Sequence, residues 1–188
     1  MSLLAGLRLP WQPKLVPPTS GELDRDEAEF KSARVWMLGA TSEREVHLRL
    51  VTPRVSDSLN DDGGVWIREQ GFSSEGWSHI ERGEVLLVIP PDHSTDRLQR
   101  LHRTARRVCV VVGPYVIVGS AHVQPGADPV AFLGRHGRAF VPLTGASLRR
   151  GADELGVLPA VIVNLREASQ VATPDLSARQ IAGVEFAT

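Results

Sequence analysis

The chain has 188 residues and a formal net charge of −1, and 42% of its residues are hydrophobic and 23% charged. This composition is typical of a soluble globular protein and argues against a strongly basic protein that coats nucleic acid. A single cysteine excludes both an intramolecular disulfide and a zinc site built from cysteines.

Residues 1–32 are predicted to form an N-terminal proline-rich arm. The prolines rule out a regular helix there, because proline lacks an amide donor and clashes with the preceding turn. Its apolar residues predict that part of the arm packs on the body or on a partner. The first apolar run is broken by Arg8 and Pro10. It is too short for a signal peptide or a bilayer span, so we expect a cytoplasmic protein without membrane association.

The first predicted repeat covers residues 33–91 and begins with two strands. Val46–Leu50 alternates apolar and polar residues, which is typical of a half-buried strand. Thr52 suits the N-cap of a short helix and Pro53 suits its first position. Leu59 completes the apolar face of that helix, and glycines follow it. Two further strands then complete the repeat.

A linking helix is predicted over residues 94–107. Asp96 suits its positive N-terminus, and arginines suit its negative C-terminus. Arg100, Arg103 and Arg107 share one side of this helix. Their guanidinium groups match phosphate geometry, so the face is a candidate binding surface for phosphates. A solvated face balanced by neighbouring acids is the alternative interpretation.

The second predicted repeat covers residues 108–167 and follows the same order. The two repeats correspond at nearly constant offsets in sequence number, which join Val35 to Val108, Pro53 to Pro125, Trp66 to Phe140 and Val85 to Val161. We expect the two prolines to be equivalent, and Leu59 to be equivalent to Phe132 or Leu133. A tail over residues 168–188 carries a short predicted helix.

A fixed period of this kind predicts the architecture. We predict an α+β, β-rich domain in which internally duplicated β-β-α-β units form one small barrel or sandwich around a pseudo-twofold axis. The reason is that each unit alone would leave an unpaired edge and a half-covered face. Two separate small sheets joined by the linking helix are the alternative.

Arg54–Asn60 reads Arg-Val-Ser-Asp-Ser-Leu-Asn and lies between two predicted strands. It resembles the Arg-x-Ser-Asp-x-Leu-Asn unit of an uncharacterised bacterial domain-of-unknown-function family, in which the unit can occur in tandem. The resemblance implies a duplicated β-rich domain and no established activity. The second repeat departs from the pattern, because only Asp128 can match it.

Arg54, Asp57 and Asn60 are candidate ligand-binding residues beside the first short helix. The alternative is local structure, with capping and an Arg54–Asp57 pair at helical spacing. The histidines show no spacing typical of a metal site. Glycine-rich phosphate loops and nucleophile elbows are missing from the sequence. We therefore predict no metal ligand, no cofactor and no catalytic residue.

The leading hypothesis is a non-catalytic interaction or regulatory module of a bacterial cytoplasmic assembly, with a protein partner or self-association. The bacterial origin is inferred from the scarcity of lysine, since only Lys14 and Lys31 occur. One alternative is a phosphate-ligand or nucleic-acid binder using the Asp96–Arg107 arginine helix, although nucleic acid is not favoured. A second alternative is an enzyme with a cleft between the repeats, using His122 and Asp128.

Overall fold

The computed structural model of the protein describes residues 31–69, 76–91, 103–135 and 137–174. The predicted arm, apart from its last two residues, the tail helix and the linking helix up to residue 102 lie outside these ranges. The described strands are β1 Lys31–Leu38, β2 Glu43–Leu50, β3 Val65–Glu69, β4 Ser78–Ile80, β5 Leu87–Ile89, β6 Thr104–Val112, β7 Tyr115–Val123, β8 Phe140–Arg150, β9 Asp153–Asn164 and β10 Ala168–Ala172. The described helices are α1 Val55–Leu59, α2 Pro129–Arg135 and a 3-10 turn over Arg82–Glu84.

The strands form one antiparallel sheet in the order β10-β6-β7-β8-β9-β5-β1-β2-β3-β4. The predicted β-rich class is therefore confirmed. The sheet is not closed, because β10 and β4 stand at its two ends and do not pair with each other. The predicted barrel is thus not confirmed by the part of the chain that the structure describes.

The linking helix predicted over residues 94–107 is wrong from Thr104 onward. Thr104–Arg107 lie in β6, which pairs with β7 along its whole length, from Thr104 opposite Val123 to Val112 opposite Tyr115. Gly113 adopts a φ of 52° in the intervening turn, a conformation that glycine adopts without strain. A continuous hairpin ladder satisfies more backbone groups than one more helical turn would, so the pairing overrides the local helix signals.

Helix α1 begins two residues later than the sequence suggests. Arg54, not Thr52, is the N-cap residue, and the amide of Ser58 donates the first helical hydrogen bond to the Arg54 carbonyl. In α2 the amide of Phe132 donates the equivalent bond to Asp128. Pro53 and Pro125 therefore lie one and three residues before their respective N-cap positions, and the prediction that they are equivalent is wrong.

The two halves of the sheet share one strand order. In the first half the order across the sheet is β5-β1-β2-β3-β4 with α1 between β2 and β3, and in the second half it is β10-β6-β7-β8-β9 with α2 between β7 and β8. The pairing register also agrees. Trp36↔Ile89, Met37↔Val88 and Leu38↔Leu87 in one half correspond to Cys109↔Ala172, Val110↔Val171 and Val111↔Gln170 in the other. One constant sequence offset relates β1 to β6 in these pairs, and a second constant offset relates β5 to β10.

The halves meet head to tail, where β9 pairs with β5. We call this strand pair the join. All neighbouring strands are antiparallel, so equivalent strands of the two halves run in opposite directions while the strand order stays the same. The second half is therefore related to the first by a rotation of half a turn about an axis that lies in the sheet perpendicular to the strands, combined with a shift along that axis. A pure twofold axis would bring the same strand of each half together at the join. The predicted pseudo-twofold axis is therefore wrong, because a fourth strand meets a fifth strand there.

Half a turn about that axis also exchanges the faces of the sheet, and the described residues accordingly form two hydrophobic cores. Leu87 and Ile89 of β5 pack in the core of the second half, while Val88 between them packs in the core of the first half. Leu59 of α1 is buried in the first core and Leu133 of α2 in the second. Strands at the join are thus buried on both faces, which fixes how the halves sit together.

Candidate functional site

A polar cleft of about 300 Å³ lies beside the join. We call it the join cleft. Its walls come from α1 and the turn after it, from the 3-10 turn before β5, from the segment before β8, and from the turn between β9 and β10. The residues that line it are Asp57, Asn60, Asp62, Arg82, Gly137, Arg138, Ala139 and Arg166.

Asn60 attaches α1 to the start of β8 at the base of the cleft. Its Nδ2 donates to the carbonyl of Phe140 at 2.8 Å, and its Oδ1 accepts from the Phe140 amide at 3.0 Å. The same Nδ2 also donates to the Ser56 carbonyl at 2.7 Å. Because one side chain satisfies both backbone groups of a residue in the other half, Asn60 holds the two walls of the cleft in register.

Asp57 is the acidic centre of the cleft. Arg138 donates to its Oδ1 at 2.8 Å, and Arg54 lies 3.6 Å from its Oδ2 at the i,i+3 spacing. The Arg138 pair joins the two halves across 81 positions of sequence. Exposed pairs of this kind add little to stability, so their main effect is to orient the guanidinium groups around the cleft.

Arg82 and Arg166 enter the cleft from two turns. The Nη2 of Arg82 donates to the Asp61 carbonyl, while its Nε is buried without a hydrogen-bond partner among the described residues. The guanidinium of Arg166 is exposed and makes no hydrogen bond or ion pair within the described ranges. With three arginines against two aspartates, the lining has one positive charge in excess.

Asn164 ties the end of β9 to the 3-10 turn. It is 1% exposed, and its Nδ2 donates to the carbonyls of Arg82 and Val85, both at 2.9 Å. Its Oδ1 accepts from the Arg166 amide at 3.2 Å. One buried amide therefore positions both of the turns that carry Arg82 and Arg166.

A second polar cluster spans the join away from these turns. The Tyr115 hydroxyl is 3.1 Å from Oε1 of Glu43, and Arg150 donates to that same oxygen at 2.7 Å. Burial, followed by the negative charge of Glu43, raises the pKa of Tyr115 to about 12, although Arg150 acts in the opposite direction. This cluster is structural, since a buried protonated phenol bound to a carboxylate is a poor acid at neutral pH.

The predicted site residues fall into two separate groups. Asp57 and Asn60 line the join cleft, and Arg54 approaches it through its pair with Asp57. Arg100 lies outside the described residues. Whether any of them binds a ligand remains a prediction.

Arg103 and Arg107 do not share a helix face, because the chain there is extended. Residues four apart in an extended segment still point to the same side. Each guanidinium is engaged with a backbone carbonyl: Arg103 donates to His122 at 3.3 Å and Arg107 to Gly145 at 3.0 Å. Both side chains are exposed. The structure thus ties them to neighbouring backbone and gives the arginine-helix hypothesis no support over the described residues.

Sequence reasoning missed the three arginines of the cleft. Arg82 and Arg166 lie in two turns and Arg138 in the segment before β8, and the three share no spacing or motif. Only the pairing of β9 with β5 brings those turns together. The one available signal was the asparagine at position 164, since a polar residue at the end of the apolar run Val161–Val163 is unusual unless its amide is satisfied.

The residues of the enzyme hypothesis have structural contacts. Oδ1 of Asp128 accepts the Ala131 amide at 2.6 Å and so caps α2. His122 Nε2 lies 2.9 Å from the Thr144 hydroxyl. In the ranges that the structure describes, no three His, Cys, Asp or Glu side chains cluster in a way that could hold a metal ion.

Comparisons with protein-family models, with curated proteins and with solved structures found no match. The resemblance of Arg54–Asn60 to a tandem bacterial domain therefore remains a prediction. Among the described residues, no helix combines the length and apolar character needed to cross a membrane.

Proposed function

We propose that this protein is a non-catalytic interaction module of a bacterial cytoplasmic assembly, and that its join cleft holds a carboxylate of a protein partner. The observation that carries the proposal is the convergence on one cleft of three arginines from two turns and the segment before β8. Guanidinium groups suit carboxylates because their N–H groups form parallel, charge-assisted hydrogen bonds. Arginine is also enriched at protein interfaces.

The three arginines have different parts in this proposal. Arg138 is oriented by Asp57 and Arg82 by the Asp61 carbonyl, so both are held in place before a partner arrives. Arg166 is exposed and has its full set of donors available, so it makes the principal contact. Pre-oriented groups bind more tightly than mobile ones because less conformational entropy is lost on association.

A peptide titration tests this assignment. Binding of a short peptide rich in glutamate and aspartate to the full-length protein is measured by calorimetry at low and at high salt. We expect the affinity to fall as salt rises, because exposed charges are screened. Arg166→Gln should weaken binding about tenfold or more, since a charged hydrogen bond contributes roughly 1.5–3 kcal/mol.

Arg44→Gln is the matched control. Arg44 is a half-buried arginine on β2, where it pairs with Glu69 at 2.6 Å and does not line the cleft. This variant should bind the peptide like the wild type. Equal weakening by both substitutions would show only a general charge effect. Binding of inorganic phosphate but not of the peptide would replace the carboxylate by a phosphate ligand and contradict the protein partner.

We further propose that the two halves arose by internal duplication of a five-stranded unit that begins with the predicted β-β-α-β order. The constant offsets between equivalent strand pairs support this, as does the common position of Leu59 and Leu133 in their helices. The fourth and fifth strands stand at opposite ends of each unit, so copies of the unit can be joined by pairing the fourth strand of one with the fifth strand of the next. Matched substitutions at the two leucines test the equivalence.

A further inference from the structure

The two end strands of the sheet are of complementary type. At the join, the fourth strand of the second half, β9, pairs with the fifth strand of the first half, β5. Among the described strands, those left at the ends are the fourth strand of the first half, β4, and the fifth strand of the second half, β10. A strand at a sheet end presents a row of backbone N–H and C=O groups that another strand can pair with.

The turns that lead into β5 and β10 confirm the correspondence residue by residue. The amides of Glu84 and Val85 donate to the carbonyls of Glu81 and Arg82. The offset that relates β5 to β10 gives the counterparts of these residues in the second half. There the amides of Glu167 and Ala168 donate to the carbonyls of Asn164 and Leu165. The end of the fourth strand, the turn and the start of the fifth strand therefore align in both halves without an insertion.

We propose that the protein associates with further copies of itself by pairing β4 of one copy with β10 of the next, which repeats the join between molecules. Two different edges meet in this contact, so it is heterologous and extends head to tail until it closes into a ring or continues as a chain. The binding mode is strand addition, in which the backbone supplies most of the hydrogen bonds.

The join fixes the expected register. Leu87 pairs with Val163, and Val88 with Ile162. Each β5 residue is replaced by its equivalent in β10, and each β9 residue by its equivalent in β4. The expected intermolecular pairs are then Gln170 with Ile80 and Val171 with His79. β4 has only three residues, but so does β5, which nevertheless pairs on both sides. The length of β4 is therefore sufficient for this kind of contact.

The intermolecular contact lacks two features of the join. The side chains of β5 are buried at all three positions, whereas Ser78 and His79 of β4 are exposed. Asn164, which donates to two carbonyls across the join, corresponds at β4 to Glu81, an exposed carboxylate that has no N–H to donate. We therefore expect self-association to be weaker than the join, and to be reversible and dependent on concentration.

Cysteine pairs test the register between copies. In the full-length protein with Cys109→Ala, one variant carries His79→Cys and another, mass-tagged variant carries Val171→Cys. Under mild oxidation, the mixture should give a disulfide-linked heterodimer, because facing residues on antiparallel strands lie within bridging distance. Since each chain carries one new cysteine, this product can form only between copies.

Val157→Cys is the matched control for Val171→Cys. Val157 is also a strand valine and is 72% exposed, but it lies in β9. Mixed with the His79→Cys variant, it should give little heterodimer. Equal yields from both mixtures would reflect random collisions and overturn the proposal.

Sedimentation of the wild-type protein in the analytical ultracentrifuge supplies the second measurement. We expect its mean mass to rise with concentration; a monomer at all concentrations would overturn the proposal.

A proline variant tests which edge of β4 is used. The Asn164 amide donates across the join to Leu86, so the amide two residues earlier, at Ile162, faces β5 as well. Its counterpart on β4 is His79. His79→Pro removes that outward donor, so a folded variant should stay monomeric, and undiminished association would contradict strand pairing at β4.

Discussion

The two halves of the sheet share an order but differ in the length of their third and fourth strands. β8 and β9 have 11 and 12 residues, whereas β3 and β4 have 5 and 3. The extra length forms a hairpin whose arm carries Arg150 to Glu43 of the first half. The second half therefore supplies a contact for which the shorter β3–β4 hairpin of the first half has no equivalent.

Polar residues show the same asymmetry. Asn60 and Asn164 make their bonds across the join, whereas the positions that correspond to them in the other half are Gly134 and Glu81, both exposed. The helix leucines Leu59 and Leu133 are thus buried in both halves, whereas these two asparagines have no polar equivalent in the other half. The comparison teaches that positions equivalent in packing can differ where one half contacts the other.

The largest expected effect tests whether the core positions are equivalent. Leu59 is 0% exposed and Leu133 is 3% exposed. A buried leucine cut to alanine loses transfer free energy and leaves a cavity, at a cost of about 2–5 kcal/mol. We expect Leu59→Ala and Leu133→Ala each to lower the free energy of unfolding by such an amount, measured by urea denaturation followed by circular dichroism.

Val157→Ala is the control for both leucine variants. Because Val157 is 72% exposed, its truncation should change the free energy of unfolding by no more than about 0.5 kcal/mol. A large loss for one leucine and none for the other would break the equivalence of the two helices and with it the proposed duplication.

A smaller effect is expected from the polar attachment at the join. Asn164→Ala leaves the carbonyls of Arg82 and Val85 without their donor in a buried place. Unsatisfied buried polar groups cost roughly 1–3 kcal/mol. We expect a loss of that size in urea denaturation. Glu81→Ala at the corresponding exposed position should be nearly neutral, and comparable losses from both would mean that the join has no special polar attachment.

Much of the sheet could be predicted from the sequence, because its signals are local. The alternation in Val46–Leu50 marks β2, and the glycine turn before Tyr115 marks a hairpin. The helix predicted over residues 94–107 was wrong where its cap and charge signals competed with a long strand pairing. The relation between the halves could not be predicted, since strand order at the join depends on contacts distant in sequence.

The candidate site was predictable only in part, for the same reason. Asp57 and Asn60 lie in one short motif, so their polar character could be noticed without a structure. Their partners Arg138 and Phe140 lie in the other half of the chain. Single arginines in turns are common on protein surfaces and carry no pattern of their own, so nothing local indicated that three of them meet.

The last expected effect concerns alkaline pH and the cluster across the join. Because the pKa of Tyr115 is raised to about 12 in the folded protein, above a value of about 10 in the unfolded chain, folding favours the protonated phenol. This contribution to stability is complete below about pH 10 and is lost as the pH rises towards 12. The difference in unfolding free energy between the protein with its natural residues and Tyr115→Phe should therefore shrink over that range.

Tyrosinate absorbance can follow this ionisation directly, because Tyr115 is the chain's one tyrosine. Glu43→Gln removes a negative charge that disfavours the phenolate, so the pKa of Tyr115 should fall. Arg150→Gln removes a positive charge that favours the phenolate, so the same pKa should rise. Glu43 belongs to the first half and Arg150 to the second. Opposite shifts would place both charges next to one phenol, whereas an unchanged midpoint in both variants would mean that the halves do not meet there in solution.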